Sequence, residues 1–322
     1  MELTRVHPGL RRSVRRVPVL PVRWRWLRGL SRAVLRRFPP GAVVAGVRFR
    51  DLDADGRAVR VYRPESGASG AGLLWIHGGG FVAGLHTQDH RFCAGLARDL
   101  GVVVVSVDYR LAPDDPFPAA IDDCVAGWDW FQRVHAEFGV DPARIAVGGQ
   151  SAGGGLAACL AQRVHDRGGV RPRAQLLFCP MLDDRTATRT ELDARRHWIW
   201  PNRDNRFGWS AYLGHEPGRP AEPYASAARR EDLAGLPPAW IGVGDIDLFH
   251  EEDTAYARRL RAAGVGCELD VVPGAPHGFE SWAAAEPVAA DFLGRAREWL
   301  GRAVASPGPG CSGDRDGAPS SP

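Results

Sequence analysis

Two continuous apolar runs, Leu73 to Ile76 and Val102 to Val107, have the composition of strands buried on both faces. Ile145 to Val147, Ala174 to Cys179, Pro238 to Val243 and Cys267 to Val272 read as further strands. Between them lie segments with helical character: Gln88 to Leu100, Phe117 to Phe138, Leu156 to Val164, Phe249 to Ala263 and Ala284 to Val304. Val43 to Arg50 and Ala58 to Tyr62 predict a hairpin across Asp53-Ala54-Asp55-Gly56, which carries the Asp-Gly turn signal. Strand and helix alternate throughout, so the pattern predicts a mostly parallel sheet covered by helices on both faces.

Three stretches depart from this alternation. Trp24 to Phe38 predicts an amphipathic helix, with Trp24, Leu27, Leu30, Val34 and Leu35 at helical spacing. Such a helix can pack on the body of the protein, lie over a pocket as a lid, or turn a basic face to anionic lipid. Leu182 to about Leu236 has no strand pattern and is dense in Arg, Asp and aromatic residues, among them Trp198, Trp200, Trp209 and Tyr212. An insertion of this length in a sheet protein is usually functional, and one or two helices over the C-terminal edge of the sheet are expected there. The Gly-, Ser-, Pro- and Asp-rich tail from Ser306 to Pro322 predicts disorder.

Charge and cysteine content remove several function classes. The first fifty residues hold thirteen Arg against one acid, Glu2, yet the whole chain carries only +3, which argues against a nucleic-acid partner. Every basic residue is Arg. Pro8, Pro18 and Pro21 interrupt the N-terminus, and no apolar stretch followed by a small-residue cleavage site marks a signal peptide. No apolar run is long enough to span a bilayer. Cys93, Cys124, Cys159, Cys179, Cys267 and Cys311 lack C-x-x-C spacing, so a disulfide framework or zinc site is not expected, and a reducing cytoplasm fits.

The strongest chemical signal is Gly148-Gly149-Gln150-Ser151-Ala152-Gly153-Gly154-Gly155, which joins a strand to a helix. In that context G-x-S-x-G puts the serine hydroxyl at the tip of a sharp turn and at a helix N-terminus, where free amides favour developing negative charge. Acyl transfer also needs oxyanion donors, a base and an orienting acid. His77-Gly78-Gly79-Gly80-Phe81 follows a strand and offers bare backbone amides; the P-loop pattern that would make it a phosphate cradle is absent. His277 follows the last strand in a Pro- and Gly-flanked loop and is the base candidate. Asp245 and Asp247 follow the penultimate strand. Asp247, just before a helix, is the preferred orienter, and Asp245 is left to form or hold the turn.

Together the His77-Gly78-Gly79-Gly80 loop, Tyr109-Arg110-Leu111-Ala112-Pro113, the serine turn, Gly244 to Glu252 and His277-Gly278-Phe279 resemble the hormone-sensitive-lipase-like family of α/β-hydrolases, in its bacterial carboxylesterase branch. The resemblance covers roughly residues 43 to 303. It implies an α/β-hydrolase fold with an eight-stranded, mostly parallel sheet whose second strand is antiparallel. The expected organisation is an N-terminal cap segment (1–42), a core (43–181 and 237–305), a cap insertion (182–236) and the tail (306–322). Carried over, Ser151 is nucleophile, Asp247 acid and His277 base, with Gly79, Gly80 and Ala152 as oxyanion donors. Phe81, Gln150, Trp198 and Trp209 are the substrate-contact candidates. Gln150 stands where the family often has Asp. The implied reaction is hydrolysis of short- to medium-chain carboxylic esters through an acyl-enzyme, with no metal or organic cofactor. The same triad could instead cleave an amide, a lactone or a secondary-metabolite ester, and a non-catalytic ligand-binding relative of the fold is the remaining reading. Family members often pair through the last strand and helix, which makes a homodimer one expected partner state.

Overall fold

Eight strands form one sheet in the computed structural model, which describes residues 2–17, 22–37, 42–195 and 197–305. In chain order the strands are β1 (Val47–Ala54), β2 (Arg57–Pro64), β3 (Gly72–Ile76), β4 (Val103–Val107), β5 (Ile145–Gln150), β6 (Gln175–Phe178), β7 (Ala239–Gly244) and β8 (Cys267–Val272). Their spatial order is β1-β2-β4-β3-β5-β6-β7-β8. β2 runs antiparallel to both neighbours and every other pairing is parallel. This is the α/β-hydrolase sheet expected above. Every residue of β3, β4, β6 and β7 is buried, which explains their largely apolar sequences, Ser106 and Gln175 being the polar exceptions.

The hairpin turn differs from the expected one. β1 continues through Asp53 and Ala54, and only Asp55-Gly56 turns, both with positive φ (54° and 86°). Two left-handed residues make the turn type whose twist matches that of the strands, so a two-residue loop suffices. The Asp53 carboxylate accepts from the Gly56 amide (2.7 Å) and closes it.

The helices are α1 (Arg11–Val14), α2 (Arg25–Arg37), α3 (His90–Leu100), α4 (Ala119–Val134), α5 (Ala152–Arg167), α6 (Asn202–Leu213), α7 (His250–Ala262), α8 (Phe279–Trp282) and α9 (Pro287–Ala305). One face of the sheet packs on α4, α5 and α7 together with the 182–236 segment, and the other on α3 and α9. Several helices begin later than the sequence pattern suggests. Gln88 and Phe117 lie in turns before α3 and α4, and α4 tightens into a 3₁₀ turn at His135–Phe138. Within the described residues of the insertion one α-helix forms, α6, accompanied by 3₁₀ turns. Phe38 and the 306–322 tail lie outside the described residues. No described helix is long and apolar enough to cross a membrane.

Residues 2–17 pack in part on the core itself. Val6, Leu10 and Val14 are buried in the same cluster as Ala289, Phe292 and Ala296 of α9. The His7 amide donates to the Gly274 carbonyl (2.8 Å), and the Ser13 hydroxyl bonds Glu286 (2.5 Å). Val6 stands in extended backbone and Leu10 and Val14 four residues apart in the short helical turns that follow, and all three turn toward the core.

Candidate active site

The turn between β5 and α5 forces its central residue into a rare conformation. Ser151 has φ 55° and ψ −121°, outside the helix it introduces. Its flanking glycines are required by close backbone approach: a Cβ on Gly149 would fall 2.3 Å from the Gly153 carbonyl oxygen, and one on Gly153 would fall 2.1 Å from that of Ile76. The Ser151 amide donates to the Phe178 carbonyl (2.8 Å), and the Ser151 carbonyl accepts from the Met181 amide (2.9 Å), so the turn is tied to the neighbouring strand.

Three loops then bring their side chains together. His277 Nε2 lies 2.9 Å from Ser151 Oγ, and His277 Nδ1 lies 2.9 Å from Asp247 Oδ2. A carboxylate can only accept, so Nδ1 carries the ring proton and Nε2 is left to accept from the serine hydroxyl. Asp247 is fixed in turn by the Phe249 amide on Oδ1 (3.0 Å), and the His277 carbonyl accepts from Trp282 Nε1 (2.9 Å). All three side chains are more than nine-tenths buried. Asp245 sits elsewhere: it accepts from the Gly274 amide (2.6 Å) and, with the His7 amide on the Gly274 carbonyl, pins the loop that leads to His277.

Burial alone would lower the pKa of His277, but the Asp247 charge, its hydrogen bond and the nearby Glu280 outweigh it and raise the value above that of an ordinary histidine. Glu280 is a residue the sequence pattern did not single out. Gln150 Nε2 donates to Glu280 Oε1 (2.5 Å), and Cys179 Sγ lies 3.8 Å from the same oxygen. Burial raises the Glu280 pKa while the Gln150 bond opposes the rise. An aspartate at 150 would set two carboxyl groups against each other here; the amide removes that conflict. We expect Glu280→Gln to move the acid limb of the kcat/KM profile to lower pH. The histidine is a base only when neutral, and deleting a neighbouring negative charge eases its deprotonation. A limb that stays in place would mean that Glu280 exerts no field on the imidazole.

The glycine loop packs beside the serine. An ideal Cβ on Gly78 would lie 3.5 Å from Ser151 Cβ. Gly79 and Gly80 have positive φ, and their amides donate to no described protein group. Ala152 opens α5, so its N–H has no partner within the helix. Behind the loop His77 is fully buried and stacks on Tyr109 at 4.3 Å, and the Tyr109 hydroxyl donates to the His77 carbonyl (2.9 Å). Burial pushes the His77 pKa down to about 4, which leaves the ring neutral.

The aromatic residues divide differently from the sequence expectation. Phe81 stacks on Tyr212 (4.2 Å) and meets Trp209 (4.9 Å), next to the glycine loop. Trp198 does not join them. It packs toward the α9 side and lines a cavity of about 830 Å³ with Val14, Arg15, Arg195, His197 and Arg203. The indole beside the triad belongs to Trp200, 6.3 Å from the His277 ring. Trp200 lies so close over Gly80 that a Cβ there would be 2.2 Å from Cη2. Ile199, with φ 71°, separates the two directions. Cys179, Asp247 and His277 have potential ligand atoms within 4.8 Å of one another. Burial holds the thiol protonated and both imidazole nitrogens are engaged, so the trio is poorly suited to a metal.

A serine on a strand-to-helix elbow, bonded to histidine and through it to aspartate above a parallel sheet, defines an α/β-hydrolase arrangement suited to acyl transfer. A family model described as alpha/beta hydrolase fold matches residues 73–281. The carboxylic ester hydrolase LipN of Mycobacterium tuberculosis is 37% identical over 262 residues, covering 78% of this chain and 69% of LipN. Ethyl acetate hydrolase of Pseudomonas putida is 35% identical over 238 residues, covering 69% of this chain and 70% of that protein. The solved structure of a bacterial heroin esterase superposes with a TM-score of 0.87 at 34% identity, covering 94% of this chain and 99% of the esterase. The chain belongs to the hormone-sensitive-lipase-like family of α/β-hydrolases, in its bacterial carboxylesterase branch, and is a carboxylic ester hydrolase.

Proposed function

We propose that Ser151, His277 and Asp247 are nucleophile, base and orienter, that the amides of Gly79, Gly80 and Ala152 hold the oxyanion, and that the preferred substrates are small- to medium-chain carboxylic esters. The observation that carries this reading is the unbroken hydrogen-bond chain from Ser151 Oγ through His277 to Asp247. His277 takes the serine proton as Oγ attacks the ester carbonyl carbon, and the carbonyl oxygen gains the negative charge that the amides receive. His277 then protonates the leaving alcohol as the C–O bond breaks. A water, losing its proton to the same ring, attacks the acyl-enzyme, and the serine recovers its proton as the acid departs.

Substrate size follows from the walls. Trp200 over Gly80, Phe249 edge-on to His277 (5.2 Å) and the Phe81–Trp209–Tyr212 group leave apolar surface but little length around the hydroxyl. In a p-nitrophenyl ester series, acetate and butyrate should exceed palmitate by about tenfold or more in kcat/KM. Trp200→Ala should shift the optimum toward longer acyl chains. Palmitate turning over fastest in the parent would contradict this assignment. A cytoplasmic site of action, no nucleic-acid partner and pairing of two copies along the edge strand β8 and α9 belong to the same reading. Supporting them are the buried thiols of Cys93, Cys124, Cys159 and Cys179, the modest net charge, and the open flank of β8.

A further inference from the structure

Helix α2 turns a row of apolar residues to solvent, while Leu27 and Leu35 are half-buried. Its inner side is attached through charge: Arg32 bonds Asp108 (3.3 Å), Arg23 just before the helix bonds Asp204 (3.2 Å), and the Arg28 guanidinium lies over the Phe207 ring at 5.2 Å. None of its residues is buried. Trp26, Leu30 and Val34, one per turn, point outward and are 62%, 54% and 49% exposed; Trp24, also exposed, stands 6.0 Å from Trp26. These four residues are two-thirds of the six large hydrophobic side chains exposed among the described residues, so the apolar surface is concentrated rather than scattered. Arg25, Arg36 and Arg37 flank the stripe with largely exposed side chains, Arg25 also reaching Asp114 and Arg36 reaching Asp108 (3.8 Å each), and no acid occurs between Glu2 and Asp51.

We propose that the outward face of α2 docks onto an anionic lipid surface. Indoles and aliphatic side chains in a row, rimmed by arginine, suit the headgroup boundary of a bilayer, where the apolar groups insert and the guanidinium groups meet phosphate. The chemistry disfavours a second copy as the occupant. A two-fold contact through this face would bring one set of arginines against another. The inner side of α2 borders Val82 and Leu111, so docking would hold the glycine-loop end of the molecule at the membrane.

Sedimentation of the full chain with vesicles tests the proposal. Vesicles of phosphatidylcholine containing about 30 mol% phosphatidylglycerol should bind the protein at about 0.05 M salt, and binding should weaken about tenfold or more at about 0.5 M. Pure phosphatidylcholine should bind far less. The triple variant Trp26→Ser, Leu30→Ser, Val34→Ser should lose about tenfold or more of the binding. It should keep its circular dichroism spectrum and its hydrolysis of a water-soluble acetate ester, which separates lost docking from lost folding. Arg36→Gln with Arg37→Gln should flatten the salt dependence. Absence of binding at low salt, equal binding to both vesicle types, or an unaffected triple variant would overturn the proposal. So would a dimer in solution that the triple variant dissolves, because the face would then belong to a second copy.

Discussion

Ser151→Ala is expected to lower kcat by roughly 10⁵- to 10⁶-fold toward any ester the parent hydrolyses, with stability and secondary structure retained. Removing Oγ deletes the attacking atom, and neither His277 nor Asp247 replaces it, because Nδ1 of the ring is held by Asp247 and Nε2 faces the lost oxygen. The fold tolerates the change: the turn is held by the Ser151 amide and carbonyl, which alanine keeps. A fluorophosphonate should label the parent at one position and leave the variant unlabelled. Labelling that survives in the variant, or hydrolysis within tenfold of the parent, would place the nucleophile elsewhere.

Asp247→Asn should have the next largest effect, about 10⁴-fold in kcat. The amide can donate to Nδ1 and so favours the ring tautomer that places a proton on Nε2, facing a hydroxyl that must lose its own. The neighbouring Asp245→Asn provides the contrast. It leaves the tautomer untouched and weakens one bond to the loop at Gly274, so a loss of about tenfold or less is expected, carried by poorer placement of the imidazole. Measuring both variants with a single ester settles which carboxylate acts on the ring; equal losses would contradict the division of roles.

How much of this could be read from residues alone depended on whether the signal was local. Strands such as Val103–Val107 and the glycine-serine elbow carry their reasons within a few residues: full burial demands apolar side chains, and close backbone approach demands glycine. The sheet was therefore legible, as were the candidate triad positions. The aromatic insertion was not. Trp198 and Trp200 are equally apolar and two residues apart, and the positive φ of Ile199 sends one toward the α9 side and the other over Gly80. No periodicity encodes such a turn. Glu280 was missed because its partner Gln150 lies 130 residues away. Val6, Leu10 and Val14 were obscured by Pro8 and by the surrounding arginines, which interrupt any apolar periodicity there.

The clasp between His7 and Gly274 makes the first dozen residues part of the reactive machinery at one remove. Anyone shortening this polypeptide to ask whether α2 gates access to the serine would also release the polypeptide strap behind the imidazole. Lost turnover in such a deletion would then report a misplaced proton acceptor as readily as an altered doorway. Point changes on α2 that leave residues 2–17 in place separate the two.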